Sequence, residues 1–324
     1  MRALLLAALL TLAWPFVAVG AGPDEGGRIV GGRDALPHEA RWTVELAYYD
    51  GEHACGGALI APRWVLTAAH CFDKSRPTEA LPNYVIAGTV KQAATVLIID
   101  PTAWATQFDP DPAHGQVFVC RGPSPIPCQP YVPNGGDHYA RNDIALIHLP
   151  KAPPVDDPSC GPDSCRIITI ALDDVTQGPE DSHVSITGWG VTSEAASEVS
   201  HPAANKVLKI AELQALGPDD CYQQNLRRYK RAMSAASWPP SVMCAGALPP
   251  ANGSAKARAA HGKSDDVCLG DSGGPLVRKR FGESVVTGVA VWELRCGSGP
   301  GLYTRVAMFK DWIAQVIAAN GGPG

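Results

Sequence analysis

Ser284-Val-Val-Thr-Gly-Val-Ala-Val-Trp292 is the run that decides the fold class. Its residues are mostly β-branched, which favours extended backbone over helix. Runs of the same kind lie to either side. Downstream is Leu302 to Val306. Upstream are Val207 to Ile210, Val184 to Thr187, Ile167 to Leu172, Ile144 to Leu149, Val117 to Val119, Val96 to Ile99 and Val85-Ile86, the series opening near Thr43. Turn-forming residues separate them, so the pattern predicts an antiparallel all-β protein rather than alternating strands and helices. It changes only at the end, where Phe309, Trp312, Ile313, Val316 and Ile317 fall on one helical face. That helix is expected to pack on the β core and to stop at Asn320-Gly321-Gly322. With only four residues after Asn320, no further domain is expected to be appended.

The chain has 324 residues, 45% of them hydrophobic, and a formal net charge of −5. That is enough apolar material for two cores and excludes a disordered or fibrous chain. Lys and Arg are scattered, which argues against a nucleic-acid or anionic-membrane surface. Arg2, the apolar run Ala3 to Val19 and the small residues Ala18, Gly20 and Ala21 read as an export signal over residues 1–21, to be removed. The run is short, contains Pro15 and has no stop-transfer charges, so a membrane span is not expected in the mature chain. Ten cysteines in an exported chain predict complete disulfide pairing, outside the cell or in a periplasm. No cysteine or histidine spacing calls for a metal, no cofactor is expected, and Asp109-Pro-Asp111 reads as a turn. Lys151 to Cys165, rich in Pro, Asp and Gly, reads as a linker between strand sets at about 29–150 and 166–324. Thr102 to Gly136, Thr192 to His201 and Pro249 to Gly262 read as loop insertions.

Four motifs carry the chemistry, in one order: Ile29-Val-Gly-Gly32, Thr67-Ala-Ala-His70-Cys71, Asn142-Asp143-Ile-Ala-Leu146 and Gly270-Asp271-Ser272-Gly-Gly-Pro275. In that order and spacing they resemble the trypsin/chymotrypsin-like serine proteases across nearly the whole chain after residue 28. The resemblance implies two perpendicular six-stranded antiparallel β-barrels, closed by the C-terminal helix, with the active site between them. It also implies His70, Asp143 and Ser272 as a triad. Its roles are the handed-down ones of that family: a serine hydroxyl needs a base, and an imidazole fixed in one tautomer by a carboxylate supplies it. Gly270 and Ser272 would donate backbone N–H groups to an oxyanion hole.

The same resemblance makes 22–28 an activation propeptide and Arg28-Ile29 its cleavage site, with the freed amine pairing with Asp271. Asp266, six residues before Ser272, would lie at the base of the specificity pocket and select Arg or Lys, with Gly301 keeping the pocket open. Val291 replaces a usual Ser before Trp292, and Glu293 replaces a usual Gly at the pocket mouth, where it would either narrow the entrance or attract a cation. The implied disulfides are Cys55–Cys71, Cys221–Cys244 and Cys268–Cys296. Cys120–Cys128 and Cys160–Cys165 are the most local pairings of the remainder. A further family disulfide is missing, since Val184 and Arg278 stand at its two positions.

The implied activity is hydrolysis of peptide bonds through an acyl-enzyme, by a monomer acting on proteins or peptides and subject to an activating protease and a protein inhibitor. The alternative is a silent homologue that serves as a binding or adaptor module. An esterase usually carries its nucleophile in a G-x-S-x-G elbow of an α/β fold, whereas Gly270-Asp-Ser-Gly-Gly274 lies here among predicted strands and the chain order of the three residues differs as well.

Overall fold

The computed structural model describes residues 32–73, 81–92, 103–120, 142–156, 166–175, 183–190, 207–229, 239–247, 268, 270–292 and 300–324. The expected export signal, the propeptide, the Arg28-Ile29 bond and the insertions at 192–201 and 249–262 lie outside them.

The chain enters with β1 (Arg33–Asp34) and then builds β2 (Thr43–Ala47), β3 (His53–Ala61), β4 (Trp64–Thr67), β5 (Tyr84–Ala87), β6 (Trp104–Gln107), β7 (Val117–Val119) and β8 (Ala145–His148). Seven of these form one sheet in the order β6-β5-β2-β3-β4-β8-β7, a half-barrel whose end strands have no second partner among the described residues. Strand β6 falls inside the stretch read as a loop insertion, where Trp104 to Gln107 pairs antiparallel with Tyr84 to Ala87. A single Trp beside Ala, Thr and Gln is too weak an apolar signal to stand out in sequence; pairing to β5 makes it a strand.

The second sheet adds β9 (Ala171–Leu172), β10 (His183–Gly188), β11 (Lys209–Leu216), β12 (Val242–Ala247), β13 (Pro275–Arg280), β14 (Glu283–Trp292) and β15 (Gly301–Arg305). Its path β11-β10-β13-β14-β15-β12 returns on itself through the β11–β12 pairing, so six strands close a barrel. Period-two patterning fills it: Ala211, Leu213 and Ala215 of β11 point inward to meet Val184, Ile186, Met243, Leu276 and Tyr303. Strand β1 does not stay with its sequence neighbours; it pairs with β11 of the closed barrel, Arg33 opposite Ile210.

Two helices complete the fold. α1 (Pro218–Tyr229) was not anticipated from the sequence, because its stripe of Tyr222, Leu226 and Tyr229 is thin and set among charged and amide residues. Its start is nonetheless well made for a helix, with Pro218 in the first turn and Asp219 and Asp220 beside the positive end of the dipole. Cys221 ties that turn to Cys244 of β12. α2 (Lys310–Ala319) is the expected C-terminal helix, and its Trp312, Ile313 and Val316 are buried in the core of the first sheet, beside Trp64, Leu66 and Leu146. Burial is worth about 1.5–3 kcal/mol for each such aliphatic side chain, which stabilises a helix too short to persist alone. Asn320 donates Nδ2–H to the Val316 carbonyl at 2.8 Å and ends it.

Val184 and Arg278 face each other in register on β10 and β13, at the positions of the missing disulfide. The connection there is ionic. Arg278 places Nε 2.7 Å from Asp173 Oδ2 and donates Nη2–H to Oδ1 at 2.8 Å, and Asp173 is fully buried. Burial pushes the Asp173 carboxyl up, but hydrogen bonds from Arg278, the Val175 N–H and Thr287 outweigh it and hold the group below its usual range. Replacing Arg278 by Ala leaves a buried carboxylate with only Arg280, 3.9 Å away, as a cation, and unfolding free energy at neutral pH is expected to fall by about 2–3 kcal/mol. Chemical denaturation of the variant beside Asp173→Asn/Arg278→Ala, which removes the charge as well and should recover part of the loss, checks this.

Candidate active site

Strand β4 is wholly buried and runs straight into a 3-10 turn, Ala69–Phe72, that presents His70. The turn is pinned from below, because Cys71 is disulfide-bonded to Cys55 of β3, their Cα atoms 6.5 Å apart. Asp143 arrives from the other side, one residue ahead of Ile144 and β8. Asn142 before it adopts φ 55°, a left-handed conformation that Asn tolerates better than most residues, and this bend turns Asp143 back toward the histidine. The carboxylate takes two bonds from one residue. His70 lies with Nδ1 2.7 Å from Oδ2, and its backbone N–H donates to Oδ1 at 2.9 Å. Asp143 is fully buried while the His70 side chain is 14% exposed, so the pair has a dry end and a wet end. From the second barrel, the Thr304 hydroxyl donates to the Asp143 backbone carbonyl at 2.8 Å.

Ser272 sits in the loop that leads into β13. Its carbonyl accepts the Gly56 N–H at 2.7 Å, and Gly56 follows Cys55, the residue bonded to the turn of His70. Gly273 seats the loop still more closely. Its φ is +79°, and a Cβ there would overlap the Thr67 hydroxyl and the Gly56 carbonyl, so only glycine permits the approach. The serine is thereby set beside the histidine turn, although its hydroxyl makes no hydrogen bond to His70 Nε2 in this structure.

Within this loop most amide groups are spent internally. Asp271 N–H donates to the Cys268 carbonyl at 3.0 Å, Gly273 N–H to Ala290 at 2.7 Å and Gly274 N–H to Asp271 at 2.9 Å. The N–H groups of Gly270 and Ser272 have no acceptor among the described residues. These two donors of the loop are therefore unspent, one two residues before the serine and one its own.

A family model described as Trypsin matches residues 29–313. The chain belongs to the trypsin family. It is also 31% identical over 302 residues to human Serine protease 56, an alignment that takes in 91% of this chain but 39% of that protein. This trypsin-family chain thus spans well under half the length of that curated relative.

The fold brings His70, Asp143, Ser272, Gly270 and Asp271 to one seam between the sheets. Trp292 ends β14 opposite Leu302, and Gly301 opens β15 opposite Ala245. Asp266, Glu293, Arg28, Ile29 and Cys296 lie outside the described residues, as do Cys128, Cys160 and Cys165. Cys120 and Cys268 are disulfide-bonded. Asp109 makes a self-contained turn, accepting the Asp111 N–H at 3.0 Å and lying 2.7 Å from His114 Nδ1. No helix among the described residues is long and apolar enough to cross a membrane.

Sequence reading missed Glu45 and His53, which lie buried directly behind the serine loop. They are eight positions apart on different strands, with no local motif to mark them; only the β2–β3 pairing joins them. Beside them, the fully buried Asp271 accepts the N–H groups of Gly190 and Cys268, each at 2.8 Å. Burial pushes its carboxyl up to about 6, against those two hydrogen bonds and the nearby His53. A carboxyl raised on folding binds more protons in the native than in the unfolded state between its two values, so it lowers stability as pH rises from about 4 to about 6. In the uncut chain, the unfolding free energy relative to Asp271→Asn should drop by about 2–3 kcal/mol over that interval and then level off. Urea titrations of both proteins at several pH values measure it, and parallel curves would contradict the raised value.

Proposed function

We propose that this chain is the precursor of an exported serine endopeptidase that cleaves peptide bonds through an acyl-enzyme, with His70, Asp143 and Ser272 as the catalytic residues. One observation carries the reading: His70 Nδ1 rests on a buried carboxylate, and the loop that carries Ser272, bonded to the strand behind the His70 turn, leaves the N–H groups of Gly270 and Ser272 unspent. The first fixes the tautomer that leaves Nε2 as a base, and the second awaits the oxyanion of a tetrahedral intermediate. Hydrogen bonds of this kind often close only in the substrate complex, so the absence of one between the serine hydroxyl and Nε2 here is compatible with the reading.

In this reading His70 takes the Ser272 proton as Oγ attacks the carbonyl carbon, and Asp143 stabilises the imidazolium that forms. The intermediate collapses as His70 returns the proton to the leaving amine. Water, activated by the same imidazole, then releases the acid and frees the serine. The Gly270 and Ser272 N–H groups hold the oxyanion in both halves. The name of the human relative, a serine protease, supports the same class.

Specificity for Arg or Lys rests on Asp266 and Gly301, with Glu293 and Trp292 at the pocket mouth. Activation rests on cleavage at Arg28-Ile29. Asp271 is already a buried, poorly solvated carboxyl group, and a freed amine would add a full positive charge beside it. Pairing would raise the amine's pKa, so the active arrangement is lost as pH rises through that value.

Two experiments test this. After cleavage at Arg28-Ile29, the protein is expected to cut a mixed peptide library after Arg and Lys, and Ser272→Ala is expected to lose at least about 10³-fold in kcat. Library cleavage that is independent of Ser272, or no cleavage at all, sinks the peptidase reading and favours the adaptor. Arg28→Gln, which blocks processing, should yield a folded protein with nearly no activity; full activity in the uncut variant would refute the activation step.

A further inference from the structure

The pair Glu45–His53 is buried, titratable and unused by the steps above. Glu45 belongs to β2 and His53 opens β3; their side chains are 1% and 2% exposed. His53 Nδ1 lies 2.9 Å from Glu45 Oε1, and Nε2 lies 2.6 Å from the carbonyl oxygen of Gly270. We infer that Glu45 and His53 are positioning residues that clamp the Gly270–Asp271 peptide and so aim the two N–H groups on either side of it. The inference deepens the peptidase reading and rests on it.

Hydrogen accounting fixes the imidazole. A carbonyl oxygen only accepts, so Nε2 must carry hydrogen. Facing Glu45, Nδ1 either donates to a carboxylate, as imidazolium, or accepts from a carboxylic acid. Both arrangements share one proton between the partners, and both keep the hydrogen on Nε2. Without an acid or another donor at Glu45, a neutral imidazole is free to place its one hydrogen on Nδ1, and a nitrogen lone pair then faces the carbonyl. Among the described residues the other charged group that acts on this ring is Asp271, whose nearby carboxylate also favours the protonated form.

The clamp acts on the middle of three consecutive peptides. The first carries the Gly270 N–H and the third carries the Ser272 N–H. Between them, the Gly270–Asp271 peptide is held at both ends, its C=O by His53 and its N–H by the Cys268 carbonyl. Gly270 has φ +97° and so has little steric preference of its own to keep this geometry. Nor is there room to replace it, since a Cβ would meet the Gly190 Cα at 3.0 Å and His53 Cδ2 at 3.3 Å. If the middle peptide turns, both outer donors swing and the freed carbonyl can face the oxyanion's place.

The test uses the full chain cleaved at Arg28-Ile29 and an Arg-anilide peptide substrate. Glu45→Gln can turn its NH2 toward Nδ1 and keep hydrogen on Nε2, whereas Glu45→Leu cannot. Loss of an oxyanion donor costs about 10²–10³ in kcat, and misaiming one should cost less, so Glu45→Leu is expected to lower kcat about tenfold with KM within about twofold. Glu45→Gln should stay within about threefold of the parent. Unchanged kcat in Glu45→Leu, or an equal fall in both variants, overturns the clamp. His53→Gln, whose amide can donate to the same carbonyl, should exceed His53→Leu in kcat, and equality there also overturns it. A readout free of activity is the nitrogen NMR spectrum of ¹⁵N-histidine-labelled Ser272→Ala protein. His53 Nε2 should be protonated with Glu or Gln at position 45 and lose that hydrogen in part with Leu. An unprotonated Nε2 in the Glu45 protein refutes the clamp even if the parent cleaves peptides, while a parent that cleaves nothing refutes the peptidase reading alone.

Discussion

The Gly56 N–H to Ser272 carbonyl bond is the contact on which the site depends. It joins a strand of the half-barrel to the loop of the closed barrel that carries the serine. One residue before Gly56, Cys55 is bonded to Cys71, the neighbour of His70. A single short path thus runs from serine to histidine through one hydrogen bond and one disulfide. Such a path is stiff, since neither bond can lengthen appreciably, and the Gly273 backbone packed against Thr67 closes the remaining freedom.

Other bonds keep the two sheets from sliding along this seam. Thr43 and Thr187 share a hydroxyl hydrogen bond at 2.9 Å, and Thr304 reaches the Asp143 carbonyl. The chain also crosses twice at larger scale. Strand β1 pairs with the closed barrel although its sequence neighbours belong to the other sheet, and α2 leaves the closed barrel to bury its apolar face in the half-barrel's core. Each crossing makes the separation of the sheets cost apolar burial or strand pairing as well as the seam contacts. The position of His70 relative to Ser272 is therefore a property of the whole fold.

Charge is handled in three distinct ways around this seam. Asp143 is buried but takes two N–H groups from His70. Asp173 is buried against Arg278, where the family usually has a disulfide in the same strand pair. Asp271 is buried with two backbone N–H groups and a neighbouring imidazole, which leaves its ionised form costly. A carboxylate in that condition is a place where a new positive charge would alter the local structure most, and it lies one residue from the serine.

The sequence by itself determined the all-β class and the C-terminal helix, and its motifs singled out His70, Asp143 and Ser272 as the expected site. These are encoded locally: in residue type, in periods of two and 3.6, and in short motifs whose glycines and asparagine are demanded by backbone geometry at the spot. Helix α1 and strand β6 were not legible, because α1 has only a thin apolar stripe among polar residues and β6 a single Trp, and tertiary contacts decide where local preference is weak. Only the tertiary structure decided which groups meet. Glu45 and His53 carry no motif, β1 gives no sign of its distant partner, and Arg278 finds Asp173 across 105 residues of chain. Pairings between remote segments depend on strand register and burial, and those exist only after the chain has folded.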